Sequence, residues 1–309
     1  MFGNYVPFLF PQMETYFDII NLCQMPNVLW QVLVDTKAID ITSHQCFYGH
    51  YCFLLTDCKY FPNLVWYCPI CNSKHSIYEG TIFTRTKTDF PQSLALIYSW
   101  ANDFPAKYAR VQCNVNKNTV TNFYYALSDA ASSSVGTMPM IGGPGLTIEV
   151  DETLLSHRKY NKGRLLINEQ IWVFGGICRE TNDIFCIPVQ DRTSNTLKQA
   201  IYQFIRPGSK IFSDSYKSYH FLDEDTNYIH RTVNHQENFI NPVDGTHTQN
   251  IERLWRDLKA KKIHSYGIPS HAVDNYCMEF TWKRNNLKNL SPGQKFYRTL
   301  QLCGETIFS

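Results

Sequence analysis

The amino-acid sequence predicts a mixed β-sheet flanked by helices in the C-terminal half of the chain, preceded by a helical, cysteine-rich N-terminal half. Three strands, a helix, two strands and two helices follow one another after residue 145. Five of the 11 cysteines fall between Cys46 and Cys71. Hydrophobic residues make up 44% of the 309 residues and charged residues 18%, a composition typical of folded globular proteins.

The composition also excludes some classes of protein. A net charge of +2 excludes a uniformly basic surface, although local basic patches remain compatible with it. No apolar run approaches the roughly 18 residues of a membrane-spanning helix, so we expect no membrane association. The first 16 residues lack a basic start, and Pro7 and Pro11 interrupt their apolar stretch, which argues against a signal peptide.

Apolar spacing close to 3.6 residues predicts helix in the first forty residues and again between residues 90 and 130. A stretch rich in Ser, Gly and Pro, 132–145, then predicts a linker. In the C-terminal half, the predicted strands are Leu146–Leu155, Gln170–Arg179, Asp183–Gln190, Lys210–Phe212 and Tyr228–Val233, and the predicted helices are Thr196–Ile205, Thr248–Lys262 and Ala272–Trp282.

Three carboxylates occupy positions from which they can converge. Asp151 lies in or at the end of the first predicted strand, and Asp214 follows the fourth. Glu252 lies early in the long helix, beside a core face that contains Trp255. Carboxylates grouped in this way are suitable ligands for Mg²⁺, although the pattern alone is also that of an ordinary strand end and an amphipathic helix.

Several short sequence motifs that follow one another along the chain make the pattern of carboxylates more specific. The stretches VDETLLSHRKYNKGR, QIWVFGGICRE, IRPGSKIFSDSYKSY and HTQNIERLWRDLK resemble the catalytic domain of Merlin-type DNA transposases and of related bacterial insertion-sequence transposases. The resemblance covers about residues 146–286. It implies an RNase H-like fold with a DDE triad, which by motif is Asp151, Asp214 and Glu252, together with Mg²⁺ or Mn²⁺ as cofactor.

The cysteine cluster resembles the zinc ribbon of the same family. Cys68 and Cys71 form a CxxC pair, whereas the first half of the ribbon departs from the family pattern. In CFYGHYC, Cys46 is followed by two alternatives for the fourth ligand, Cys52 and His50. Because a closed structural zinc site needs four Cys or His ligands, the sequence predicts zinc here, against a metal-free remnant as the alternative.

The predicted DNA contacts are basic or short polar side chains, each with a solvated surface as the alternative reading. A helix-turn-helix over residues 105–129 would present the start of its second helix to DNA. The predicted contacts are Arg158, Lys159, Lys162 and Arg164 after the first strand, Lys117, Asn118 and Thr119 at the start of the second helix of that motif, and Arg253, Arg256 and Lys259 beside Glu252. His235 and His247 flank Glu252 and would orient DNA or water, or have a structural role.

The sequence therefore predicts a DNA transposase that cleaves double-stranded DNA at transposon ends and joins the ends to target DNA. A homodimer or higher assembly is expected, because two ends must be held together, and the location is the nucleus if the host is eukaryotic or the nucleoid if it is bacterial. The alternatives are a domesticated DNA-binding protein and an RNase H-like nuclease without strand transfer. A zinc-ribbon transcription factor would leave the C-terminal half without a role.

The predicted boundaries follow from these elements. They are a helical segment at 1–40, a zinc-ribbon-like region at 41–85, a helical region with the helix-turn-helix at 86–131, the linker at 132–145, the catalytic domain at 146–290 and a C-terminal tail at 291–309.

Overall fold

The chain folds into two compact units, an N-terminal unit of Met1–Ser134 with Asn286–Ser309 and a C-terminal unit of Val135–Asn285. The computed structural model describes residues 10–56, 64–84, 88–136, 139–156, 170–233, 247–264 and 272–306. Among these residues, no helix has both the length and the apolarity needed to cross a membrane.

Helices dominate the N-terminal unit. They are α1 (Tyr16–Cys23), α2 (Pro26–Asp35), α3 (Phe90–Ala101), α4 (Ala106–Gln112), α5 (Lys117–Val135), which continues past the unit boundary, and α9 (Pro292–Glu305). Helix α3 is buried along its length from Ser93 to Ala101 and packs against α1 and α9. Capping boxes fix where α3 and α9 begin, with Asp89 and Ser291 as the N-cap residues.

A small antiparallel sheet carries the Cys/His-rich region. Its strands are β1 (Phe53–Thr56), β2 (Leu64–Tyr67) and β3 (Lys74–Ser76), in the order β1-β2-β3. Val65 and Trp66 of the central strand are buried, whereas all four residues of β1 are exposed. So short a sheet has little core of its own, and a bound metal would supply what apolar burial does not.

The C-terminal unit is built on a five-stranded sheet in the order β6-β5-β4-β7-β8. The strands are β4 (Thr147–Ser156), β5 (Ile171–Cys178), β6 (Ile184–Val189), β7 (Lys210–Asp214) and β8 (Ile229–Val233). Strands β4, β5 and β6 pair antiparallel, whereas β7 and β8 continue the sheet parallel to β4. This mixed topology is the RNase H-like arrangement that the resemblance implies.

Helices cover both faces of this sheet. They are α6 (Ser194–Phe204), α7 (Gln249–His264) and α8 (Val273–Leu287), with a 3-10 helix at Lys217–Asp223. Alternate residues of β4 point to opposite faces, as the pleat requires. Ile148 and Val150 pack in the core with α6 and the 3-10 helix, and Leu155 packs with α7 and α8.

The structure corrects two of the predicted boundaries. The segment 291–309 is largely helix α9 rather than a tail, and Phe296 and Leu300 of that helix are buried. The predicted linker 132–145 is partly structured, since α5 continues to Val135 and Ile141 lies in the core of the C-terminal unit. Strand β7 also extends two residues beyond its predicted end, which brings Asp214 into the strand.

Candidate functional site

Two of the three predicted carboxylates lie on neighbouring parallel strands. In the register between β4 and β7, Glu149 is opposite Phe212. Asp151 and Asp214 each follow two residues later, so both side chains project from the same face of the sheet as that pair. One oxygen of Asp214, Oδ1, accepts a hydrogen bond of 3.0 Å from the backbone N–H of Tyr216.

Asp151 lies in an environment that disfavours its charged form. Burial, and to a smaller extent the negative charges of Glu152 and Asp214, raise the pKa of this carboxyl to about 7. The indole Nε1 of Trp255 opposes this effect by donating a 2.9 Å hydrogen bond to Asp151 Oδ2. A divalent cation between the carboxylates would remove the repulsion, so the electrostatics fit a metal ligand.

The position of Trp255 depends on a glycine in the neighbouring strand. Gly175 is paired with Asp151 across β4 and β5. A Cβ atom at Gly175 would lie 2.6 Å from Cη2 of Trp255 and 2.7 Å from the carbonyl oxygen of Phe185. Any side chain would therefore clash with the indole or with the backbone of β6. The absence of a side chain at Gly175 lets Trp255 reach Asp151.

Helix α7 is joined to β4 by Glu149, whose side chain is fully buried. Its carboxylate accepts hydrogen bonds from the backbone N–H of Asn250 at 2.8 Å, from the side-chain amide of Asn250 at 2.8 Å and from the backbone N–H of Ile251 at 3.1 Å. A carboxylate at a helix N-terminus satisfies unpaired N–H groups and interacts favourably with the helix dipole.

Arg179 provides the countercharge for this buried group. Its Nε donates to Glu149 Oε1 at 2.6 Å, and its terminal NH2 donates to the carbonyl oxygen of His247 at 2.6 Å. The guanidinium also lies 4.6 Å from the centre of the Phe212 ring. His247, which the sequence places beside the acidic site, has its Nδ1 3.6 Å from Glu149 Oε1. Arg179 and Glu149 thus link β4, β5 and the start of α7.

Glu252 lies in the first turn of this helix and is exposed. Its backbone N–H donates to the carbonyl oxygen of Thr248 at 3.2 Å. Trp255 follows three residues later, so the two side chains are neighbours on the helix surface. The structure therefore brings Asp151 and Asp214 to one face of the sheet and places Glu252 one helical turn before the residue that contacts Asp151.

A fourth carboxylate, Glu152, was not singled out from the sequence. Its Oε1 accepts a hydrogen bond from the hydroxyl of Tyr219 on the 3-10 helix. Burial raises the pKa of Glu152, and the charge of Asp214 raises it further. Arg192 lowers it in part, and the Arg192 guanidinium lies 3.8 Å from the centre of the Trp172 ring. The signal available in the sequence was only that an acidic residue follows Asp151 directly.

The Cys/His-rich region brings four predicted ligands together. Cys46, His50, Cys68 and Cys71 have ligand atoms that all lie within 4.8 Å of one another. Hydrogen bonds from Ser73 lower the pKa of Cys71 to about 6, which favours the thiolate that binds metal. Three thiols and one imidazole form a closed donor set suited to tetrahedral zinc.

Of the two alternatives for the fourth ligand, His50 belongs to this group of four ligand atoms, whereas Cys52 groups with His44 and His75, although its thiol also lies beside that of Cys68. The backbone N–H of Cys46 donates a 2.9 Å hydrogen bond to the carbonyl oxygen of His50. This bond closes a turn that keeps the two residues close. The N–H of Cys52 instead donates to the carbonyl oxygen of His44 at 2.9 Å. The grouping of ligand atoms thus favours His50 over Cys52 as the fourth ligand. Cys58 lies outside the described residues.

The predicted DNA contacts are only partly within the described residues. Lys117 and Asn118 are exposed at the start of α5, and Thr119 is half-buried. Arg253, Arg256 and Lys259 are exposed on α7. Arg158, Lys159, Lys162 and Arg164 lie outside the described residues, as does His235. Helices α4 and α5 do form the predicted helix, turn and helix, with Val120, Phe123 and Leu127 buried.

Residues 141–285 match the family model of the ISXO2-like transposase domain. This range contains Asp151, Asp214 and Glu252. A Haemophilus influenzae protein described as an uncharacterized transposase-like protein is 26% identical over 103 residues, which span 33% of this chain and 81% of that protein. Both comparisons make the C-terminal unit similar to insertion-sequence transposases.

Two solved structures show remote similarity. The HTLV-2 integrase catalytic core domain in complex with magnesium, in its trimeric form, is 16% identical, with a TM-score of 0.31 over 48% of this chain and 91% of that chain. A simian T-cell lymphotropic virus intasome in complex with the PP2A regulatory subunit B56 gamma is 14% identical, with a TM-score of 0.33 over 64% of this chain and 67% of that chain.

Proposed function

We propose that the protein is a DDE transposase that cleaves double-stranded DNA at transposon ends and transfers the freed strand to target DNA, with Asp151, Asp214 and Glu252 as its triad. The observation that carries the proposal is the pair of carboxylates on adjacent parallel strands, faced by a helix that bears the third. The transposase domain match supports the reaction class, and the Merlin-type sequence words support the narrower assignment.

The donor set of the site fits Mg²⁺ or Mn²⁺. Carboxylate oxygens are the ligands that these hard cations prefer. The pKa of Asp151 is raised mainly by burial and then by neighbouring carboxylates, and a bound cation would stabilise its charged form. When bound, such ions activate a water or a 3′-hydroxyl and stabilise the leaving oxygen of an in-line displacement. Asp151 and Asp214 would hold the metals, and Glu252 would complete the set.

The other residues of the site position these carboxylates. Trp255 orients Asp151 through its N–H group, and Gly175 leaves the space for the indole. Glu149 and Arg179 fix the start of α7 and therefore the position of Glu252 relative to β4. None of these four residues has to contact DNA to affect cleavage.

DNA is the proposed partner, and the exposed cations Arg253, Arg256 and Lys259 lie on the same helix as Glu252. The start of α5 would serve as a recognition helix, with Lys117 and Asn118 exposed there. A homodimer or larger assembly is proposed because two transposon ends must be held at once. A structural zinc ion at Cys46, His50, Cys68 and Cys71 would stabilise the small sheet of β1, β2 and β3.

The test is Mg²⁺- or Mn²⁺-dependent nicking and joining of DNA that carries the element's own ends. Glu252→Gln should abolish both activities, because it removes a metal ligand and keeps the size and shape of the side chain. Glu224→Gln is the matched control, since Glu224 is also exposed and lies outside the site. Equal activity of the two variants would refute the triad. Nicking without joining would indicate a nuclease, and end binding without cleavage a DNA-binding protein.

A further inference from the structure

A second group of metal-binding side chains lies in the zinc-ribbon-like region. His44, Cys52 and His75 have ligand atoms that all lie within 4.8 Å of one another. Cys52 is buried, and the two histidine side chains are each 20% exposed. None of these residues is one of the four ligands Cys46, His50, Cys68 and Cys71, although the Cys52 thiol lies beside that of Cys68.

Glu79, whose side chain is 56% exposed, lies beside the two histidines of this group. Its Oε2 lies 3.7 Å from His44 Nε2 and 3.5 Å from His75 Nδ1. Both separations exceed the usual length of a hydrogen bond. Zinc bonds of about 2.0–2.2 Å to nitrogen and oxygen place tetrahedral ligand atoms roughly 3.3–3.6 Å apart. The 3.5 Å separation from His75 Nδ1 falls within this range, and the 3.7 Å separation from His44 Nε2 exceeds it by about 0.1 Å.

The ring nitrogen of His44 that faces Glu79 is otherwise unsatisfied. Among the described residues, His44 Nε2 is buried and has no hydrogen-bond partner. A buried polar atom without a partner costs about 1–3 kcal/mol, and a metal bond at this nitrogen would remove that cost. The ring is also held in place, because it stacks on Trp66 with centroids 5.6 Å apart and planes 18° apart.

His75 has the second hydrogen bond that metal-binding histidines commonly make. Its Nε2 lies 2.8 Å from Ser73 Oγ, which leaves Nδ1 for the metal. Ser73 Oγ in turn lies 3.1 Å from Cys71 Sγ. With Nε2–H donating to Ser73 and the Ser73 hydroxyl donating to the Cys71 thiolate, every proton in this chain has an acceptor. The two groups are thus joined through one serine.

We propose that His44, Cys52 and His75, with Glu79 as the fourth ligand, bind a second zinc ion, so that the region holds two. This inference does not depend on the proposed transposase activity. It explains why the Cys52 thiol lies close to two imidazoles and why a carboxylate lies beside both of them. The competing interpretation is a single zinc site with Cys52 as a buried thiol or as an exchanging ligand.

The test is the zinc content of the full-length protein, measured by mass spectrometry after purification with zinc and exhaustive dialysis. We expect two zinc ions per chain in the wild-type protein. Cys52→Ser and His75→Asn should each retain one ion, at the first group, and Cys46→Ser should retain one ion, at the second group. Cys113→Ser is the matched control, because Cys113 is a buried cysteine outside both groups and its loss should leave two ions.

Cobalt(II) substitution distinguishes the two sites. Cys46→Ser should lose most of the thiolate-to-cobalt absorption, because the first group has three thiols, whereas Cys52→Ser should lose the smaller share. One zinc ion in the wild-type protein would overturn the proposal. A zinc content that Cys52→Ser and His75→Asn leave unchanged would also overturn it. The same holds if Cys46→Ser and Cys52→Ser both empty one common site, with the same change in cobalt absorption.

Discussion

Replacing Asp151 with asparagine should make the metal-free protein more stable at alkaline pH. The pKa of Asp151 is raised from its ordinary value of 3.8 to about 7, first by burial and then by the charge of Glu152. A carboxyl whose pKa is higher in the folded than in the unfolded state contributes stability that is fully present below about pH 4 and is lost as the pH rises through 7. Asparagine removes the charge and keeps an oxygen for the Trp255 N–H group.

The size of the effect follows from the shift. About 3 pH units at 1.36 kcal/mol each give roughly 4 kcal/mol over the whole pH range. Only the part above about pH 5 is convenient to measure, which leaves about 2–3 kcal/mol between about pH 5 and about pH 8. Across that interval the wild-type protein should lose this much free energy of unfolding relative to Asp151→Asn.

The assay is urea unfolding followed by tryptophan fluorescence at both pH values, in buffer without Mg²⁺ or Mn²⁺ and with zinc retained. Glu252→Gln is the control, because an exposed carboxylate should change stability little at either pH. Mn²⁺ should restore the stability of the wild-type protein at high pH and have less effect on Asp151→Asn, since binding to the folded state stabilises it. Parallel pH dependences for the wild-type protein and Asp151→Asn would refute the reasoning.

Two further predictions concern the residues that position the site. Glu149→Gln should destabilise the protein by about 3–5 kcal/mol, measured by urea unfolding, because it leaves the Arg179 charge without its buried partner. The control is Asp257→Asn, which breaks the exposed ion pair of Asp257 and Arg284, 3.5 Å apart, and should cost less than about 1 kcal/mol. Equal losses in the two variants would contradict the role of Glu149. Trp255→Phe keeps an aromatic ring over Gly175 but removes the hydrogen bond to Asp151. We therefore expect weaker Mn²⁺ binding, measured by calorimetry, and a further rise in the pKa of Asp151. Unchanged Mn²⁺ affinity would argue against the positioning role of Trp255.

Local sequence patterns were sufficient to predict the architecture of the C-terminal unit. Alternating and continuous apolar runs predicted all five strands of its sheet, because strand periodicity is a property of neighbouring residues. The sequence words around Asp151, Asp214 and Glu252 identified the carboxylates by motif. The structure adds that the first two lie side by side on parallel strands.

The supporting residues could not be predicted in the same way. Glu149 is only an acidic residue in a strand until its carboxylate is seen to accept N–H groups from α7, about a hundred residues later in the chain. Trp255 was expected in the core and is buried there, but its hydrogen bond to Asp151 depends on Gly175 in another strand.

The choice between His50 and Cys52 shows the same division. Spacing predicted a four-ligand zinc site at the cysteine cluster, and both residues satisfied that spacing. The turn from Cys46 to His50 places the His50 imidazole among the three thiols, which favours His50. Residue order determined the strands and the helices, because these depend on short-range periodicity, and it indicated the proposed chemistry through side-chain type. Only the tertiary structure decided which side chains share a ligand set or a buried charge, because burial and pairing are set by residues distant in sequence.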